Sequence, residues 1–169
     1  MKKINFLDPS IERKKNLTNK NFQLLSDSNF PLPSEVEISE SGVCNRKCSF
    51  CPRSAPDFNE VKEFISKSLH TKLIQDLEKE NYSGVVRYSG FVEPLLDKNI
   101  YNLVAEARNK LSDARIEIVT NGDVLNNYRL KKLFKSGLST LLISVYDGPE
   151  DAKKFETMCI KANLHPSQF

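Results

Sequence analysis

Three of the chain's four cysteines crowd into eight positions, Cys44-Asn45-Arg46-Lys47-Cys48-Ser49-Phe50-Cys51, which spells C-x3-C-x2-C. Thiolates are the ligands that iron–sulfur clusters use. A loop with three of them can hold three irons of a cubane and leaves the fourth iron open, as substrate coordination requires. Structural zinc is the alternative, but zinc sites normally take four ligands in pairs. No fourth ligand lies nearby: His70 is far downstream and His165 is almost at the end. Three unligated cysteines that merely lie close together are the remaining alternative. Gly42, just ahead of Cys44, is expected to supply turning freedom.

The elements that must position this loop are regular from Glu35 onward. Val36 and Ile38 alternate with polar residues, a short strand by its period of two. Phe64, Ile65, Leu69, Leu73, Ile74 and Leu77 recur at helical spacing after the cysteines. Val85–Tyr88 reads as a second strand, and Ile100, Leu103, Val104, Ala107 and Leu111 as a second helix. Arg115–Val119 is a third strand, stopped by Asn121-Gly122. Leu125, Tyr128, Leu130, Leu133 and Phe134 give a third helix with Gly137 at its C-terminal cap. Leu141–Val145 is a fourth, buried-looking strand, and a last helix carries Ala152, Phe155, Cys159 and Ala162. Strands alternating with helices imply an α/β fold with a parallel sheet and right-handed crossovers. In such sheets working residues sit at the C-terminal ends of the strands, where the cysteine loop falls.

With Phe50 just before its last cysteine, the C-x3-C-x2-C loop resembles the signature of the radical S-adenosylmethionine (SAM) superfamily. Pro52-Arg53 is similar to its peptide-modifying, SPASM-type branch. The resemblance implies a partial parallel (βα) barrel of the radical SAM type, with about four βα units of six present here. It implies a 4Fe–4S cluster on Cys44, Cys48 and Cys51, with the amino and carboxylate groups of SAM chelating the unique iron. It also implies an external electron donor, and a peptide or protein substrate through the SPASM likeness alone.

Three further loops resemble family stretches. Tyr88-Ser89-Gly90-Phe91-Val92-Glu93-Pro94 is similar to the Gly-Gly-Glu-Pro-like segment that receives the methionine ammonium. Gly90, Glu93 and Pro94 match, whereas Phe91 and Val92 stand where small residues are commoner. A cation needs an acceptor, and glycine lets backbone approach a ligand closely. Asn121 and Ser144, with Asp147 behind them, resemble residues presented to the ribose and carboxylate of SAM; turn chemistry explains Asn121-Gly122 and Asp147-Gly148 equally well. Cys159 is expected in the core as a small hydrophobe, and both histidines on the surface.

Composition excludes several classes. Hydrophobic residues are 39% and charged residues 28%, an ordinary globular balance. No stretch approaches the roughly 18 apolar residues of a membrane span, and Met1–Asp8 has no signal-peptide pattern. A cytoplasmic location is the expectation. A formal charge of +3 is too balanced to imply nucleic acid.

Residues 1–34 read as a leader and 35–169 as the barrel region, which four βα units consume. Strands five and six of the family barrel and a SPASM domain are expected to be missing. The apolar fourth strand would then be an edge covered by a partner, or the mark of a fragment or a truncated product. Three functions follow in order: reductive cleavage of SAM to a 5′-deoxyadenosyl radical, a non-catalytic cluster- or SAM-binding module, and a zinc-stabilised interaction domain.

Overall fold

The computed structural model describes residues 23–169. Four strands form one sheet in the order β1 (Glu35–Ile38), β2 (Val85–Tyr88), β3 (Arg115–Thr120), β4 (Thr140–Ile143), every pair parallel. The connections carry α1 (Lys67–Lys79), α2 (Ile100–Lys110) and α3 (Asn127–Lys135), and α4 (Pro149–Lys161) follows β4. The alternation expected from the sequence is therefore present, all four loops of interest leaving the same edge of the sheet. No helix among the described residues is long and apolar enough to cross a membrane.

The period of two divides the sheet into two chemically different faces. Val86, Tyr88, Ile116, Ile118 and Leu141 are fully buried against the helix layer of Ile74, Leu103, Val104, Ala107, Leu130 and Leu133. The opposite face carries Glu35 and Arg115, both in register with Val85, and next to them Glu37, Arg87 and Glu117 in register across the three strands. Arg87 pairs there with both Glu35 and Glu117, and Arg115 Nε donates to Glu117 Oε1 at 2.7 Å. Of β4, Leu141 is buried, Leu142 and Ile143 are half-buried, and the strand pairs with β3 alone among the described residues.

Three expectations change. The first helix starts at Lys67, not near Phe64, because Ser66 takes the cap: its Oγ accepts from Leu69 N at 3.2 Å. Phe64 instead bridges back to Ser41 in an antiparallel pair, and Ile65 N donates to Glu40 O at 2.7 Å. Leu69, counted in the apolar stripe, is exposed, and the residue filling the space beneath is His70. His70 is not a surface residue: it is wholly buried, held by Glu106 (Nδ1···Oε2, 2.9 Å) and Tyr88 (Nε2···OH, 2.8 Å). The partners it needed stand 36 and 18 positions away, beyond the reach of local pattern.

Of the 1–34 leader, residues 1–22 lie outside the described residues. Gln23 brackets the turn after α1, donating to Asn81 O at 3.0 Å and accepting from Ser83 N at 2.9 Å. Cys159 is completely buried beside Phe155, as expected, and burial pushes its thiol up.

Candidate active site at the C-terminal edge of the sheet

The loop after β1 reaches Cys44 through Gly42, which sits against the backbone of the returning segment. Gly42 N donates to Glu63 O at 2.9 Å, and an added methyl would run into the Val61 carbonyl. Close approach, rather than turning freedom, is what requires glycine here. Cys51 N donates to Cys48 O at 2.9 Å, and Cys51 then caps a short 3-10 turn, Pro52–Ser54. All three cysteines are free and half-buried.

Arg53, which the sequence offered only as part of a family likeness, is an internal tether. Its buried guanidinium donates to Gly42 O at 2.9 Å and Phe91 O at 3.1 Å, and pairs with Glu60. It thereby ties the far end of the cysteine loop to its own beginning and to the loop after β2. No local signal marks this role, because all three partners are loop residues brought together by the fold.

The loop after β2 carries Gly90 at φ +123°, with Ser39 filling the space where a side chain would stand. Phe91 is pushed outward and exposed. Glu93 is nearly inaccessible at 1% exposure, which decides against an ordinary loop acid. Its Oε1 accepts from Thr120 Oγ1 and from Leu95 N at 3.0 Å, and its Oε2 from Asn121 N at 2.7 Å. Burial pushes its carboxyl above the usual range while these bonds pull it down. The carboxylate thus binds the β2 loop to the β3 loop.

Asn121 is buried, and its amide faces the cysteine loop: Nδ2 donates to Asn45 Oδ1 at 2.8 Å and lies 4.0 Å from Cys44 Sγ. Ser144 N donates to Thr120 O at 2.8 Å, continuing the ladder one step past β4. Arg46, unremarked in the sequence, bridges Asp123 after β3 and Asp147 after β4. Both carboxyls are held below the usual range by its guanidinium.

One cavity of about 240 Å³ is lined by all seven residues singled out from the sequence: Cys44, Cys48, Cys51, Gly90, Glu93, Asn121 and Ser144. Four loops, 100 residues apart at the extremes, contribute to it. Among the described residues no three His, Cys, Asp or Glu side chains converge on a point that would hold a single metal ion. A cubane makes a different demand, one thiolate per iron. Three free thiols line the cavity, with polar and glycine-bearing loops opposite, a donor set of the type and number that three irons of a cubane take.

The comparisons agree with this chemistry. Over 115 residues the chain is 30% identical to the S-adenosyl-L-methionine-dependent 2-deoxy-scyllo-inosamine dehydrogenase of Niallia circulans, covering 68% of this chain and 46% of the relative. It is 36% identical over 115 residues to the Fe-coproporphyrin III synthase of Methanosarcina barkeri, covering 28% of that protein. The crystal structure of BtrN in complex with AdoMet and 2-DOIA superposes with a TM-score of 0.65 at 29% identity, over 70% of this chain and 48% of that one. An open conformation of BtrN gives 0.63, over 72% and 54%. The chain thus spans about half the length, or less, of the relatives it matches. A 4Fe–4S cluster and SAM are the cofactors of the family whose sequence profile matches residues 38–163. By that match, the chain belongs to the radical SAM superfamily of enzymes.

Proposed function

We propose that Cys44, Cys48 and Cys51 ligate the 4Fe–4S cluster and that SAM binds across the open iron, between Gly90, Asn121 and Ser144. The observation that carries this reading is the convergence of the three free thiols with those loops on one cavity at the strand ends. Held by the three cysteines and reduced by an external donor, the cluster would supply the one electron that cleaves the SAM sulfonium to methionine and a 5′-deoxyadenosyl radical able to take a hydrogen atom from substrate. The chain's own residues hold the geometry. Gly90 lines the cavity in a left-handed conformation that lets Ser39 pack beneath the loop. Glu93, with both oxygens engaged, keeps the β2 and β3 loops at a fixed separation and sets a negative charge behind the ammonium. Asn121 and Ser144 line the site from the third and fourth loops, the Asn121 amide being held by the cysteine loop and Asp123.

A small polar molecule is the substrate class favoured. The relatives are named for an inosamine and a porphyrin, not a peptide. The expected peptide substrate rested on Pro52-Arg53, and Arg53 is occupied as a buried tether. The sheet face that continues down from the cavity is polar: Ser89 Oγ donates to Glu37 Oε2 at 2.7 Å, and Ser39 Oγ to Ser89 O at 2.9 Å. A cytoplasmic location remains the expectation, consistent with oxygen-sensitive iron–sulfur chemistry.

The test is EPR of the anaerobically reconstituted, dithionite-reduced protein with and without SAM, followed by assay for 5′-deoxyadenosine. A reduced-cluster signal that changes with SAM, and deoxyadenosine that vanishes in Cys48→Ala, is the expected result. Cleavage retained by Cys48→Ala would sink the ligand assignment. A cluster indifferent to SAM would leave a cluster-binding module without cleavage.

A further inference from the structure

The environment of Cys44 differs from that of its two partners. Its Sγ faces two N–H donors, Arg46 N at 3.5 Å and Asn121 Nδ2 at 4.0 Å. Neither donor is left to drift. Arg46 is forked on both sides: Nε donates to Asp123 Oδ2 at 2.7 Å and Nη1 to Asp147 Oδ1 at 3.0 Å, while Nη2 reaches both carboxylates. Asp123 also takes Asn45 Nδ2 at 2.8 Å, and its own N–H donates to Asn121 Oδ1 at 2.9 Å. Asn121 closes the ring through Asn45 at 2.8 Å. The Arg46 guanidinium further sits 5.5 Å from the centre of the Tyr146 ring, which contacts Phe50 at 5.4 Å.

The result is a clamp that joins the cysteine loop to the loops after β3 and β4 through charge-assisted bonds of fixed fork geometry. Groups of this kind do two things at a metal ligand. They orient it, and by donating to a thiolate they favour the more negatively charged, reduced cluster. A nearby cation acts in the same sense through space.

We infer that Arg46 and Asn121 are positioning residues for Cys44, which hold its thiolate in place through the Asp123–Asp147 clamp and raise the reduction potential of the cluster. This rests on the ligand assignment proposed above. It adds that the poise of the cluster is set by the loops after β3 and β4.

The test is an EPR-monitored redox titration of reconstituted wild type, Arg46→Ala, Arg46→Lys and Asn121→Ala. At the potential where wild type is half reduced, Arg46→Ala is expected to show roughly a tenth as much reduced relative to oxidised cluster, a 59 mV shift for one electron. Arg46→Lys keeps the charge but cannot fork two carboxylates, so it falls between. Asn121→Ala shifts in the same direction by less. On the proteins before reconstitution, amide exchange over residues 45–51 rises in Arg46→Ala and not in the core strands. Wild-type potentials in Arg46→Ala overturn the inference. If that variant loads no cluster, unchanged potentials in both Arg46→Lys and Asn121→Ala overturn it instead. A wild-type protein that loads no cluster rejects the ligand assignment itself, before any variant is read.

Discussion

Two arginines in this chain each stand between two carboxylates, and they do different work. Arg87 lies on the polar sheet face with its side chain 5% exposed, between Glu35 and the fully buried Glu117. Arg46 lies at the mouth of the cavity, between Asp123 and an Asp147 whose side chain is 55% exposed. The chemistry is the same and the solvent is not. Charges withdrawn from water are expensive to strand, so removing one member of the inner set destabilises the fold. Charges left near water stabilise little, so the outer set contributes geometry at the cysteine loop and almost no stability.

The largest expected effect is therefore on the inner set. Arg87→Ala is expected to cost about 3 kcal/mol, the lower end for breaking a buried ion pair, because Arg115 still pairs with Glu117. Equilibrium denaturation of the two proteins measures it. A loss below about 1 kcal/mol would remove the distinction between the two arginines.

A buried carboxyl with no arginine at all sharpens the contrast. Glu40 is fully buried, Oε1 accepts from Ser41 Oγ at 3.2 Å, and Oε2 has no hydrogen-bond partner among the described residues. Burial, reinforced by the nearby Asp97 and Glu93, raises its pKa to about 7. A raised carboxyl binds its proton more tightly in the folded state, so stability is greatest below the unfolded value and falls as pH rises through about 7. Glu40→Gln abolishes this loss. The variant is expected to gain on the order of 2 kcal/mol over wild type at pH 8 and little at pH 5. Denaturation curves at the two pH values decide it; equal gains at both would mean that Glu40 folds in its charged form.

The same distinction between local and distant partners explains what the sequence could show. The first three strands and the cysteine loop are local patterns of spacing and stand near where spacing puts them, whereas the fourth strand, expected over Leu141–Val145, runs Thr140–Ile143 and leaves Val145 exposed. The roles of Arg46, Arg53 and His70 are not legible in the sequence because they depend on partners 7 to 101 positions away. Their residue types alone read as solvated charge. Glu93 was found for its position, but its burial and its three donors come from Thr120, Asn121 and Leu95. The start of α1 was misplaced because Phe64 and Ile65 fit a helical period while Ser66, one residue on, supplies the cap.

A buried hydroxyl gives an intermediate case. Tyr88 OH lies between His70 Nε2 and Leu103 O, at 2.8 and 3.1 Å, and all three groups are buried. Tyr88→Phe leaves the ring packing intact, strands His70 Nε2 and removes the extra donor at the helix carbonyl of Leu103, so about 1–2 kcal/mol should be lost. Urea denaturation is the check, and an unchanged midpoint would mean that water replaces the hydroxyl.

The smallest effect on stability should come from the outer arginine. Arg46→Ala removes a fork between two loops at a partly exposed position, and exposed ion pairs add little because water and salt already solvate the separated charges. A change in Tm below about 3 °C is expected for a chain of this size. The same substitution should nevertheless displace the cluster potential, since the guanidinium charge and the fork that hold the residue 46 N–H against Cys44 are gone whether or not the sheet below is disturbed. A large Tm change with an unmoved potential would reverse the assignment, making Arg46 the stabilising residue and leaving Cys44 indifferent to the clamp.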